Sequence, residues 1–324
     1  MRTPTTQKTR SPKRSMFRRQ VHIIYLFPLP CANYIQICHE TLRITVIQRL
    51  EHYLQIQGDG DEVITHVVHP AREDMDNDEY DDRPFEPFKD LCKRRFLWYY
   101  DSYIHAISKE KHEVREGQVF ARMPFEGPCN EMVGKFYYTE LENRLNRVKK
   151  ALDAETSHWA KQGMESVRTD TSVASNLRQQ YGQCVEYFKR SKTINIELSL
   201  VENNPFVWMI TYFGKPMTDL DGGFFRVKLC MSPNFPEEQP RARFETALFH
   251  HRIANDGTPC YTAVRADDIR SHIEGIVSAL EEEHPPYDPR TLVNPEASKL
   301  YWGSADDKKK YRRQLRRSVQ RSME

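Results

Sequence analysis

The sequence predicts an α+β fold for roughly the last 150 residues of the chain, preceded by a separate helical segment. The helix predicted at Leu177–Lys189 is followed by three β-rich runs, Ile194–Val201, Phe206–Tyr212 and Phe224–Cys230. Asn, Asp, Gly and Pro residues bound these runs, which is typical of short turns between strands. One helix followed by strands joined through short turns predicts an antiparallel meander sheet.

The composition excludes several classes of protein. Of the 324 residues, 39% are hydrophobic and 29% are charged, so a packed core with a highly charged surface is expected. The net charge of +2 argues against nucleic acid as the main partner. The apolar run within Val21–Cys38 is interrupted by prolines and polar residues and is too short to span a membrane, so no membrane association is expected.

The cysteine pattern indicates a reducing compartment. The seven cysteines are widely spread and form no Cys-x-x-Cys pair, which argues against a disulfide framework and against a structural zinc site. We therefore predict no metal and no cofactor, and a cytoplasmic or nuclear location.

Changes in composition divide the chain into five parts. Residues 1–69 are a poorly defined N-terminal region, and residues 70–83 form an acidic linker. Residues 84–163 have a helical pattern, residues 164–176 are a polar, Ser/Thr-rich linker, and residues 177–324 form the α+β domain.

The helical segment shows a clear amphipathic period. Its apolar residues recur at a four-three-four spacing, which places them on one helix face: Leu141, Leu145, Val148 and Leu152. Gly163 is predicted to end this helix, and Asn176 to cap the next one. An aromatic cluster precedes this face and comprises Phe96, Trp98, Tyr99, Tyr100 and Tyr103. The segment is either a small helical core or a module that binds a partner.

Short motifs follow one another through the α+β domain in a specific order. They are Phe206–Ile210 with its tryptophan, the Gly-Gly turn at Asp221–Phe225, Phe235–Pro240, and Asn294–Ala297 followed by Leu300 and Tyr301. His250 lies six residues after Phe244 and ten residues before Cys260. In this order and spacing the motifs resemble those of ubiquitin-conjugating (E2) enzymes. The chain looks like a divergent, fungal-type member with an N-terminal extension.

The resemblance implies a UBC-like fold, with an N-terminal helix, an antiparallel meander and C-terminal helices. It also implies that Cys260 carries ubiquitin or a ubiquitin-like protein as a thioester and transfers it to a lysine amine. The implied partners are the modifier, an E1 activating enzyme and an E3 ligase. The chemistry needs a reachable thiolate, and Cys260 follows a polar Asn255–Thr258 loop, so we expect an accessible thiol. Cys184 and Cys230 are expected to be buried.

The sequence departs from the family pattern at the triplet before the cysteine. The family has His-Pro-Asn, whereas this chain has His250-His251-Arg252. By resemblance, His250 orders the loop and His251 is an exposed loop residue. Arg252 stands where the family has its Asn and is a candidate oxyanion donor, because a guanidinium can also donate hydrogen bonds.

Two further positions bear on transfer and on ligase choice. Asp288 lies near the place of the family's acidic residue that orients the incoming lysine, although an Asp before Pro is often only a turn former. Glu237 replaces the phenylalanine that RING and HECT ligases commonly grip, so a dedicated ligase or a ligase-independent route is favoured.

Two other functions remain open at this point. The altered triplet and Glu237 also suit a catalytically inactive E2-like scaffold that binds ubiquitin or an active E2. Retention of Cys260 speaks against that alternative. A helical adaptor built on residues 84–163, with a decayed domain behind it, is a third interpretation.

Overall fold

The structure is a computed structural model, and it describes most of the chain from residue 86 onward together with one earlier segment. The described residues are 46–56, 86, 88–120, 134–191, 193–282 and 284–324. Of the predicted N-terminal region only residues 46–56 are described, and the acidic linker lies outside the described residues. The chain divides into two compact units, and every element below belongs to the larger one, residues 45–118 with 135–324.

Two long helices form an antiparallel pair, called here the helical hairpin. They are α1 (Lys89–Glu113) and α2 (Tyr138–Arg168). Ion pairs from Lys93 to Glu155 and from Lys111 to Glu142 join the two helices. The predicted apolar face of α2 is buried, as its 3.6-residue period requires. Residues 46–53 are also helical and contact α2, where the Arg144 guanidinium donates to both carboxylate oxygens of Glu51 at 3.0 and 2.6 Å.

Gly163 does not end α2, contrary to the prediction. The helix continues for five more residues to Arg168. A Cβ built at Gly163 would lie 2.5 Å from Cγ of Phe206, which is fully buried. The glycine is therefore needed for a close approach of the helix to the neighbouring domain, and the sequence alone cannot distinguish this use from a helix end.

The predicted linker over residues 164–176 is helical for most of its length. Helix α3 (Ser172–Arg190) begins four residues before the predicted cap, Asn176. Its N-cap is Thr171, whose hydroxyl oxygen accepts a hydrogen bond from the Ala174 amide at 3.3 Å. Only residues 169–171 separate α2 from α3. The Ser and Thr residues of this stretch suggested a linker. In the structure they instead cap helices or lie on helix surfaces.

The α+β prediction is confirmed by a four-stranded antiparallel meander in the order β1-β2-β3-β4. The strands are β1 (Ile196–Leu200), β2 (Val207–Phe213), β3 (Phe224–Cys230) and β4 (Arg241–Phe244). In the register, Trp208 pairs with both Leu200 and Leu229. Leu177 and Cys184 of α3 belong to the same buried cluster as Trp208, so α3 covers one face of the sheet.

Three helices complete the domain. They are α4 (Ile269–Glu281), α5 (Pro295–Tyr301) and α6 (Ala305–Arg321). The three-residue spacing of Ser304 and Asp307 predicts a capping box, and these residues form one at the start of α6. Within the described part of the chain, no helix is both long enough and apolar enough to cross a membrane.

Candidate active site

Cys260 lies on the loop between β4 and α4, at the end of a tight turn. Gly257 adopts φ +89°, and a Cβ there would lie 2.4 Å from the Phe244 carbonyl oxygen, so this turn requires glycine. The Gly257 amide donates to the Ala254 carbonyl at 2.9 Å. The Cys260 amide donates to the Arg252 carbonyl at 2.8 Å, which fixes the cysteine beside the triplet.

The two histidines of the triplet are buried. The Arg252 amide donates to Nδ1 of His250 at 3.2 Å, so the predicted loop-ordering role of His250 has a geometric basis. The prediction of an exposed His251 is wrong, because only 1% of this residue is exposed. Its ring packs 4.4 Å from that of Tyr301, and its Nδ1 lies 3.2 Å from the Tyr311 hydroxyl. Burial lowers the pKa of His250 to about 3 and also lowers that of His251.

The Arg252 side chain is already engaged. Its Nη2 forms an ion pair with the Glu282 carboxylate, while its Nε is buried without a hydrogen-bond partner. The charge of Arg252 still favours the thiolate form of Cys260. As an oxyanion donor, Arg252 would have to point its free Nε–H at the carbonyl oxygen of the reacting thioester or release Glu282, so this role stays a prediction.

Asp288 lies on the loop that faces the cysteine. Its carboxylate caps the short 3₁₀ turn Pro289–Thr291 and binds the Arg290 guanidinium through several contacts of 2.9 to 3.2 Å. Hydrogen bonds from Arg290 lower the pKa of Asp288, so it is ionised at neutral pH. The Arg290 carbonyl lies 3.9 Å from Sγ of Cys260, which brings this loop to the thiol. The role of Asp288 toward a lysine stays a prediction.

The thiol of Cys260 is not accessible, contrary to the expectation from its polar loop. Only 4% of the residue is exposed. Burial raises the pKa of Cys260 to about 11, and the positive charges of Arg252 and Arg95 only partly oppose this shift. Compared with the ordinary pKa of 9.0, this leaves roughly a hundredfold less thiolate at neutral pH.

Comparison with known proteins supplies the family. Residues 177–319 match the family model described as ubiquitin-conjugating enzyme. Over its matched length this segment is similar to ubiquitin-conjugating enzymes. A ubiquitin-conjugating enzyme E2 of African swine fever virus is 25% identical over 145 residues, which cover 40% of this chain and 66% of the viral protein. Ubiquitin-conjugating enzyme E2 7 of Triticum aestivum is 27% identical over 152 residues, which cover 41% of this chain and 88% of the wheat protein. The segment is called the UBC domain below.

Helix α1 of the hairpin covers the thiol of the UBC domain. Trp98 forms a small buried cluster with Cys260, Ala254 and Val293, and Tyr99 packs against its edge. The Tyr99 hydroxyl donates to the carbonyl of Arg290, the same oxygen that lies beside Sγ. An indole and a phenol from outside the UBC domain therefore pack at the thiol and at the loop beside it.

Two acidic side chains tie the hairpin and the cysteine loop together. Asp101 of α1 accepts a hydrogen bond from the backbone amide of Asn255. Asp256 forms a 3.0 Å ion pair with Lys149 of α2. Burial alone would raise the pKa of Asp256, but Lys149 and hydrogen bonds from Thr258 outweigh burial and lower it. The loop that carries the cysteine is thus bonded to both helices of the hairpin.

A third anchor lies on the sheet. Arg241 of β4 forms a 2.6 Å ion pair with Asp90 of α1, and both side chains are largely buried. The guanidinium also sits 5.0 Å from the ring centre of Trp159 on α2. One arginine of the UBC domain therefore binds both helices.

Cys260 was a candidate from the sequence, whereas the residues that cover it were not predicted. The aromatic cluster allowed either a small helical core or a module that binds a partner. Phe96 and Tyr100 pack on each other within the hairpin, whereas Trp98 and Tyr99 face Cys260. The partner is this chain's own UBC domain. No group of His, Cys, Asp and Glu that could hold a metal ion occurs among the described residues.

Proposed function

We propose that the chain is an E2 enzyme, in which Cys260 carries ubiquitin or a ubiquitin-like protein and passes it to a lysine. The observation that carries the proposal is the position of Cys260 within a family-matched UBC domain, on a loop beside Arg252 and Asp288. Among the other described cysteines, Cys184 lies in the main core, where burial raises its pKa to about 12. That environment suits packing and not catalysis.

The proposed chemistry consists of two acyl transfers. The Cys260 thiolate attacks the carbonyl carbon of the E1 thioester, and the E1 cysteine leaves as its thiolate. A lysine amine then attacks the new thioester, an amide bond forms, and Cys260 leaves as thiolate while the amine loses its proton to a base. Asp288 is ionised, and its carboxylate is the base that we propose to orient the amine and accept its proton. Arg252 is the proposed donor to the oxyanion.

The proposed partners follow from the same reaction. They are ubiquitin or a ubiquitin-like protein, an E1, and a ligase dedicated to this chain. Glu237 is exposed on the surface, where a carboxylate disfavours an apolar ligase groove. A ligase that binds at Glu237 would need a cationic or polar group facing this carboxylate instead of an apolar groove.

The test is a charging reaction with the full chain. The protein is incubated with E1, ATP and ubiquitin, or with a ubiquitin-like protein and its own E1, and is run on a non-reducing gel. The variants are Cys260→Ala and, as a matched control, Cys184→Ala. The proposal expects a reducible band one modifier heavier in the wild type and in Cys184→Ala but not in Cys260→Ala.

Because Trp98 covers the thiol, the same reaction is run on Trp98→Ala. If no modifier forms a reducible band on either protein, while iodoacetamide does alkylate Cys260 in Trp98→Ala, the thioester mechanism is contradicted.

A second function has a specific observation in its favour. A catalytically inactive E2-like scaffold needs no reactive thiol, and Cys260 is buried with a raised pKa. Such a scaffold would bind ubiquitin or an active E2 non-covalently, and the binding would persist in Cys260→Ala. Titration of the variant with ubiquitin, together with the charging gel, separates the two functions.

A further inference from the structure

We infer that the helical hairpin is an autoinhibitory lid, which occupies the Cys260 face of the UBC domain and must move before the thiol can react. The inference rests on the proposed function, because it concerns access to the same cysteine. It identifies the occupant of this face as residues 89–113 and 138–168 of the chain itself.

The hairpin blocks the thiol sterically. Acyl transfer needs the carbonyl carbon to approach within about 3–3.5 Å of the sulfur along an open path. Trp98 packs on Cys260 in one buried cluster, Tyr99 bonds to the carbonyl beside Sγ, and 4% of the cysteine is exposed. A second protein that carries a thioester has no approach to Sγ while α1 is in this place.

Charged anchors hold the hairpin beside the Trp98 cluster. They are Asp90 with Arg241, Asp101 with the Asn255 amide, and Lys149 with Asp256. A cavity of about 290 Å³ remains between the hairpin and the end of the sheet, lined by Arg94 and Trp98 among others. An interface with charged anchors and an unfilled cavity is easier to separate than a close-packed core.

The C-terminal end of α2 is attached to the UBC domain at a separate place. There α2 approaches the domain so closely that Gly163 touches the Phe206 ring. The Asn204 side chain donates to the Ala160 carbonyl at 2.9 Å in the same place. Only three residues lie between the end of α2 and the start of α3 of the UBC domain. The hairpin can therefore release α1 while this end of α2 stays attached.

The experiment measures access to the thiol without using E1. The full chain is treated with iodoacetamide, and alkylation of each cysteine is followed by peptide mass spectrometry. In Asp90→Arg, two like charges replace the ion pair with Arg241, which should release α1. The matched control is Glu165→Arg, which makes the same change of charge on α2, where Glu165 pairs only with exposed Arg168. Trp98→Ala is a second opening variant, and slow alkylation of buried Cys184 reports that the UBC domain stays folded.

The lid predicts that alkylation of Cys260 rises at least tenfold in Asp90→Arg and in Trp98→Ala and stays at the wild-type rate in Glu165→Arg. The inference is overturned if either opening variant keeps Cys184 protected and leaves the Cys260 rate unchanged. It is also overturned if wild-type Cys260 reacts as fast as it does in denaturant.

Charging with E1 then separates the two proposals. If Cys260 becomes alkylated in the opened variants but accepts no modifier, the proposed function fails and the lid stands. If wild type and opened variants form thioester at the same rate, the proposed function stands and the lid fails.

Discussion

The hairpin meets the UBC domain at two contacts of opposite character. At the C-terminal end of α2, a glycine lies against the buried ring of Phe206, and no side chain could be added there without a clash. Under α1, by contrast, ion pairs and an indole hold the surface beside a cavity of about 290 Å³. The difference indicates that the first contact is a permanent attachment and the second is one that can be released.

The largest effect is expected from breaking the buried ion pair under α1. Asp90→Ala leaves Arg241 with an uncompensated charge, because both side chains are nearly enclosed. Loss of one partner of such a pair costs about 3 kcal/mol. The loss should appear as weaker docking of α1, seen as faster amide hydrogen exchange in residues 89–113. If amide exchange in α3 rises by the same factor, the substitution has destabilised the whole domain, and the contact under α1 is not released separately.

A substitution at the close approach should act on the whole fold. Gly163→Val forces the Phe206 ring to shift and should lower the free energy of unfolding by about 2 kcal/mol, as overpacking of a core does. Urea denaturation measures it. The control is Gly182→Ala on α3, where a Cβ would meet nothing within 4 Å. That change should be neutral or stabilise by about 0.5 kcal/mol. Equal free energies of unfolding for Gly163→Val and Gly182→Ala would contradict the close contact between Gly163 and Phe206.

Low pH should reduce the free energy of unfolding of the UBC domain through its buried histidines and not through the lid. The pKa of His250 is lowered to about 3 by burial, so the unfolded chain binds a proton below its ordinary pKa of 6.5 and the folded chain does not. Stability is therefore full above pH 6.5 and falls as pH decreases toward 3, by about 2 kcal/mol at pH 5.

Urea denaturation at pH 7.5 and pH 5 tests this expectation. His250→Gln should remove part of the difference between the two pH values, whereas substitution of the exposed His105 should leave it unchanged. A stability that does not vary between these pH values would contradict the burial of the histidine pair.

The smallest effect is expected at the outer anchor. In Lys149→Met the ion pair with Asp256 is lost, while the aliphatic part of the side chain is kept. Because the Lys149 and Asp256 side chains are only 10% and 19% exposed, but Asp256 keeps its bond from the Thr258 amide at 2.9 Å, the cost should be about 1.5 kcal/mol. Cys260 should become alkylated a few times faster than in the wild type. If the alkylation rate of Cys260 rose as much as in Trp98→Ala, the ion pair of Lys149, and not the indole of Trp98, would be what closes the site.

Three of the four strands were predictable because their signals are local, whereas β4 was not predicted and Cys260 was singled out only by the family motifs around it. Turn residues bound each β-run, and β3 was predicted with the bounds that the structure shows. Ser304 and Asp307 revealed their capping box through spacing alone. Such features depend on interactions between residues a few positions apart, so a short stretch of sequence contains all the interacting residues.

The covered state of Cys260 was not predictable in the same way. Trp98 and Cys260 are 162 positions apart, and an aromatic cluster on a helix does not specify what it packs on. His251 was misjudged for the same reason, since Tyr301 and Tyr311 that bury it come from α5 and α6. Gly163 was misjudged because a glycine at a close approach and a glycine at a helix end look alike in sequence.

The central claim is that α1 closes over Cys260. It is tested most directly by alkylating the thiol and measuring amide hydrogen exchange in α1. Cys260 is alkylated to completion with iodoacetamide in Trp98→Phe, in which a smaller ring replaces the indole, and amide hydrogen exchange is compared before and after. The account predicts that the added group displaces α1, so exchange rises across residues 89–113 while α3 stays protected. Unchanged protection of residues 89–113 on a fully alkylated chain would contradict it.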